Sequence, residues 1–184
     1  MRLSLPPPGV EVVLIVVLLA AAIYDVRYRR IPNWISVSGT LVGLLLNAFL
    51  YVGAPGLIFS LKGLGLGFGV YFALYVLHAM GAGDVKLMAA VGALVGWQNW
   101  FGIFVITAML GGVMGMILMV MRRRLQKTFW NLGYILGEMG HGRAAYVTRE
   151  ELDVKSPKSF GLPHGAVIAV GTIFFLALSA HFVH

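Results

Sequence analysis

The sequence predicts an all-α, polytopic membrane protein with six transmembrane helices, the fourth of them short. Three observations carry this. Hydrophobic residues make up 59% of the 184 and charged residues 11%, with a mean hydropathy of +0.87. A soluble domain carries about 25% charged residues, and a sphere of this size cannot hide so much apolar surface from water. Disorder is excluded by the same numbers, because disordered chains are polar and charge-rich. Next, the apolar residues fall in runs close to the roughly 20 that cross a hydrocarbon core. Finally, the basic residues collect in alternate connections. The length suits a single domain, residues 1–184.

Taken in order, Pro8 to Tyr24 is the first span, with Glu11 near its start. Trp34 to Val52 is the second, opened by Pro32 and Asn33 with an indole at the interface. Leu57 to Met80 is the third, where Lys62 is near enough to one end to snorkel. Leu87 to Met121 then runs 35 residues without a charge, too long for one ordinary span. The turn-like Trp97-Gln98-Asn99-Trp100 divides it. Val85 to Trp97 becomes a fourth helix of 13 residues, too short to cross alone. Such a helix starts below the membrane surface, where irregular backbone is tolerated only inside protein or beside a water-filled cavity. Trp100 to Met121 is the fifth span and Leu162 to Val183 the sixth.

The net charge of +7 would suggest nucleic acid in a soluble protein. In a membrane protein basic residues report topology first, and no nucleic-acid partner is expected. Arg27, Arg29 and Arg30 follow the first span, Lys86 precedes the fourth, and eight more lie between Arg122 and Lys158. Only Arg2 and Lys62 fall on the other side. The positive-inside rule then puts both termini outside and the basic loops in the cytosol. A cleaved signal peptide ending near Ala20-Ala21-Ala22 is disfavoured, because its basic cluster would have to precede the apolar run.

Residues 122–160 form a cytosolic basic loop. Within it Phe129, Trp130, Leu132, Ile135 and Leu136 would give a short surface helix an apolar stripe, although a plain basic loop near anionic lipid serves as well. Gly63, Gly65, Gly67 and Gly69 do not make a dinucleotide loop, since no strand precedes them and no acid follows at the right distance. Gly92/Gly96 and Gly111/Gly115 suit close helix packing.

Chemistry must come from few residues. There is no cysteine, hence no disulfide, thiol nucleophile or thiolate metal site. Of seven acids, Glu138, Glu150, Glu151 and Asp153 fall in the polar loop, and Glu11 lies at the outer end of the first span. Asp25 and Asp84 remain, both on the cytosolic side of this topology. Alone, Asp84 would serve as a helix cap and Asp25 as a partner for the arginines after it. Together, two carboxylates on one face are what a water-activating dyad requires. Repulsion keeps one proton shared between them; the ionised member takes a proton from water while the neutral one polarises a carbonyl. Gly81 and Gly83 would let a substrate backbone come close beside Asp84.

The stretch Gly81-Ala82-Gly83-Asp84-Val85-Lys86, with Tyr24-Asp25 leading through basic residues to Ile31-Pro32-Asn33, resembles the type IV prepilin peptidases, bacterial aspartyl proteases of the Gly-x-Gly-Asp intramembrane class. The resemblance covers roughly residues 10–121. Leu162-Pro163-His164-Gly165-Ala166 looks like the Pro-containing terminal segment of that family, and no role is carried onto His164. The resemblance implies catalytic Asp25 and Asp84, removal of a short basic leader from pilin precursors after a small residue, and residence in the bacterial inner membrane with pilus assembly machinery as partner. Larger members carry a paired-cysteine zinc region and N-methyltransferase activity. With no cysteine, this sequence looks like the short, peptidase-only form of Tad and Flp pilus systems, and no methyl transfer is expected.

Other chemistries fit poorly. No His-Glu-x-x-His or Gly-x-Ser-Gly occurs. His181 and His184 stand three apart at the C-terminus, His78 suits an interfacial residue, and Lys86, two positions from Asp84, points elsewhere on a helix. Neither metal nor cofactor is required. The rival reading is a small proton- or cation-coupled transporter using Asp25 and Asp84, which acids at mid-span and inverted repeats would favour. A non-catalytic pilus scaffold would not need both acids.

Overall fold

The computed structural model describes residues 6–77, 79–121 and 163–183. These residues form α1 (Pro8–Tyr28), α2 (Asn33–Leu50), α3 (Ala54–Val76), α4 (Ala82–Met121) and α5 (His164–Val183). All five are long and apolar enough to cross a membrane. The described residues are all-helical, and the chain is a multi-pass membrane protein. The loop 122–160, with its expected surface helix, lies outside the described residues, as do His78 and His184.

Five spanning elements are found where six spans were expected, because the fourth and fifth form one 40-residue helix with an internal break. The break is at Gly96, with φ 72 and ψ 174, a conformation that a side chain would strain. Trp97 to Trp100, expected to be the turn, is helical. Trp97 is 42% exposed, while Trp100 is fully buried, stacked on Phe104 at 5.4 Å. Its indole N–H donates to the Met88 carbonyl at 3.1 Å. Twelve residues of unbroken helix would separate these positions by about 18 Å, so the chain doubles back at Gly96. The arm before the break, residues 82–95, is about 21 Å long, short of the roughly 30 Å of hydrocarbon.

Small residues set the packing around this arm. Gly56, Ser60, Gly63, Gly67 and Tyr71 form the buried face of α3. A methyl group on Gly63 would collide with the Gly92 carbonyl, and one on Gly92 with the Gly63 carbonyl. The two backbones are therefore in contact, as small residues permit between membrane helices. Gly65 and Gly69 face open space. The same expectation fails at Gly115, which has nothing within 4 Å among the described residues. On α2, a methyl on Gly39 or Gly43 would meet Ala90 or Ala93–Leu94, so α2 runs parallel to the first arm of α4.

A break in a membrane helix frees backbone carbonyls that no water can satisfy. Here Asn47 and Ser60 supply the donors. Asn47 Nδ2 lies 3.0 Å from the carbonyl oxygens of both Ala93 and Leu94 and 2.9 Å from Ser60 Oγ. The Ser60 hydroxyl donates to the Ala93 carbonyl at 2.6 Å. Asn47 and Ser60 are both fully buried. Orphaning a buried acceptor costs about 1–3 kcal/mol. Asn47→Leu is expected to lower unfolding stability in detergent by that amount, whereas Leu45→Ala, on the 70%-exposed outer face, should cost far less. Equal losses in a denaturant titration would refute this capping role.

Candidate active site

Asp25 is placed by the register of α1. Val10, Leu14, Val17, Leu18, Ala21 and Asp25 form one buried face, at the spacing of helical turns. The helix runs a turn beyond the expected Tyr24, ending where Arg29 adopts a left-handed conformation at φ 55 and donates its N–H to the Asp25 carbonyl. Asp25 therefore stays within the helix, 8% exposed, while Arg27, Arg29 and Arg30 turn outward. Its carboxylate goes to the bundle interior, where Oδ2 accepts the Gly165 N–H at 2.7 Å.

Asp84 sits in the first turn of α4, also 8% exposed. Its N–H donates to the Gly81 carbonyl at 3.1 Å, and the Gly81 N–H donates back to Asp84 Oδ2 at 3.2 Å. This is the half of a capping box that a glycine N-cap allows. Asp84 does cap its helix, and that role fixes its carboxyl in place.

The two acids meet because helix ends meet. The C-terminal ends of α1 and α3 and the N-terminal ends of α2, α4 and α5 lie at one end of the bundle. The Lys86 ammonium donates to Asn33 Oδ1 at 2.8 Å, joining the starts of α4 and α2. Gly111 of the second α4 arm lies against His164 and Val167. Asp25 and Asp84 are near enough for the charge of one to act on the other, and Asp25 acts likewise on half-buried His164.

A match to the type IV leader peptidase family covers residues 12–116, more than half the chain and both acids. The chain belongs to this family. Among similar proteins, the prepilin leader peptidase/N-methyltransferase of Stutzerimonas stutzeri is 31% identical over 121 residues, which is 60% of this chain and 38% of that protein. Its namesake in Escherichia coli K12 is 30% identical over 136 residues, 64% of this chain and 59% of the relative. The preflagellin peptidase of Methanocaldococcus jannaschii is 34% identical over 85 residues, 45% of this chain and 36% of that enzyme. The chain thus matches less than two thirds of the length of each of these relatives. No solved structure matches it.

At Gly81 and Gly83 groups of the protein itself stand close to the backbone. A methyl on Gly81 would lie 3.3 Å from Asp84 Oδ2, and one on Gly83 would lie 3.2 Å from Ile31 Cβ. Sequence reasoning gave no role to Gly165 or Ile31. Both stand in stretches that carry the resemblance, Ile31 before Pro32-Asn33 and Gly165 behind Pro163-His164, but neither stretch says that the residue touches an acid. Among the described residues no group of three or more His, Cys, Asp or Glu could hold a metal. The placement of Asp84 has a direct test in a chain without cysteine. Ala82→Cys and Lys86→Cys, at exposed positions, should react with a small water-soluble thiol reagent. Val85→Cys and Leu87→Cys, at 4% and 0% exposure, should react at least about tenfold more slowly. Similar rates at all four would contradict the described helix start.

Proposed function

We propose that the chain is a prepilin peptidase that cleaves the short basic leader of type IV, Tad/Flp-like prepilins at the cytosolic face of the bacterial inner membrane. The observation that carries this reading is the convergence of Asp25 and Asp84, nearly buried and each fixed by a backbone N–H, in a member of the type IV leader peptidase family. The relatives' printed activities, prepilin and preflagellin peptidase, support the same substrate class. Several of those relatives are also N-methyltransferases by name; for this chain only peptide cleavage is proposed. Pilus assembly machinery is the partner this activity implies, and the bilayer is its solvent.

In the proposed reaction the ionised carboxylate takes a proton from a water lying between the two acids. The oxygen so freed attacks the scissile carbonyl carbon, and the protonated carboxyl hydrogen-bonds the carbonyl oxygen as charge develops. Collapse of the tetrahedral species expels the amine, which leaves with a proton from the dyad. The half-buried backbone around Gly81 and Gly83 is the proposed surface for the peptide. The two arms of α4 act as separate passes, giving six, with both termini outside and residues 122–158 inside, as the distribution of basic residues supports. Ion transport gains no support, because the acids stand at helix ends on one side.

Asp25→Asn and Asp84→Asn are each expected to lower cleavage of a co-expressed prepilin by at least about a hundredfold while leaving the helical content and melting behaviour intact. Near-normal processing by either variant would eliminate the two-aspartate mechanism. Reporter fusions at the C-terminus should be active only outside the cytosol; cytosolic activity would invert the topology.

A further inference from the structure

The connection between α1 and α2 is short, and it contains one large apolar side chain that turns inward. Ile31 precedes Pro32, which holds the preceding residue in extended backbone, and its own branched β-carbon restricts χ1. The side chain is half-buried and packs on the hydrophobic core. Its position is thus set by backbone restriction, with few rotamers to choose from.

What it touches is specific. Along one side, a methyl group on Gly83 would lie 3.2, 3.5 and 3.6 Å from Ile31 Cβ, Cγ1 and Cδ1. On another, a methyl on Gly165 would lie 3.0 Å from Ile31 Cδ1 and 3.0 Å from Asp25 Oδ2. Gly83 is the residue before Asp84, in the turn that fixes that carboxyl. Gly165 is the residue whose N–H holds the Asp25 carboxylate. One hydrocarbon side chain therefore stands between the turn that carries one acid and the turn that holds the other. The absent side chains of both glycines leave the room it fills.

We propose that Ile31 is a positioning residue, a spacer that sets the separation of the Asp25 and Asp84 carboxyl groups by standing between Gly83 and Gly165. The proposal rests on the two-aspartate reading above. Two carboxyls with nothing held between their turns can move away from the one spacing at which both reach the attacking water. Each must lie within about 2.6–3.2 Å of that water. A saturated, branched wedge opposes that movement and offers no competing polar atom. Misplacement by about 1 Å can cost a hundredfold in rate.

The test uses the full-length protein in lipid nanodiscs with a purified prepilin. Ile31→Ala is expected to lower kcat by about thirtyfold or more, with KM within about threefold of wild type. Ile31→Val, which keeps Cβ against Gly83 and loses Cδ1 against Gly165, should lower kcat less. It also serves if the alanine variant does not fold. A second readout reports spacing directly. In the Asp25→Cys/Asp84→Cys chain, adding Ile31→Ala should speed disulfide formation at least about fivefold under fixed oxidant. Unchanged or slower cross-linking, or kcat within twofold of wild type for Ile31→Ala, overturns the spacer while inert Asp25→Asn and Asp84→Asn variants leave the dyad standing. Normal cleavage by either asparagine variant overturns the dyad reading, and the spacer with it.

Discussion

A helix broken inside hydrocarbon survives only where its loosened carbonyls find donors, since no water is there to replace them. In this protein Asn47 and Ser60, from two other helices, supply them to Ala93 and Leu94 beside the break at Gly96. Much else depends on that capture. With the break stabilised, the first arm of α4 can be short, α3 can lie against it at Gly63 and Gly92, and Trp100 can reach back to Met88. A continuous helix of the same length would carry its second arm away from the bundle. Packing of α5 against that arm, through Gly102 with Phe175 and Gly171 with Thr107, would go too.

The site is then a meeting of helix termini. Asp25 approaches from a C-terminal end and finds its hydrogen-bond donor at the N-terminus of α5; Asp84 finds one in its own helix cap. Backbone donors suit this purpose, because a peptide N–H neither titrates nor swings away. The neighbouring Lys86–Asn33 bond faces solvent and ties the mouth of the site to the start of α2. Tyr24, Tyr28 and Trp34 cluster beside it, with the Tyr24 and Trp34 rings edge-on at 6.1 Å, as aromatic residues do at a membrane interface.

Much of this was legible in the sequence, and the remainder failed for definable reasons. Composition alone implied membrane helices, and the order of basic connections put Asp25 and Asp84 at one end. The charge-free length of 87–121 required an interruption. Its position was misjudged because Trp97-Gln98-Asn99-Trp100 looks polar enough for a turn, whereas the non-helical backbone inside α4 belongs to Gly96. Helix faces were harder still. Where every side of a helix is apolar, periodicity cannot say which side turns inward, so the inward register of Asp25 and the unequal fates of Gly63 and Gly65 appear only in three dimensions. Gly165 and Ile31 join the site from 140 residues away and from a loop, contacts that no local pattern encodes.

The capture of the break also has a history in time. Asn47 is made and inserted before any of its partners. Its nearest, Ser60, follows 13 residues later, while the Ala93 and Leu94 carbonyls come 46 and 47 residues later. Membrane helices insert first and associate afterwards, so α2 and α3 can pair through Asn47 and Ser60 as soon as both are in the bilayer. That hairpin is a receptor waiting for α4, with a polar pocket at the level where the incoming chain must bend. The two helices that can form this pocket carry no acid of their own, and the pocket lies where the chain bearing Asp84 must turn.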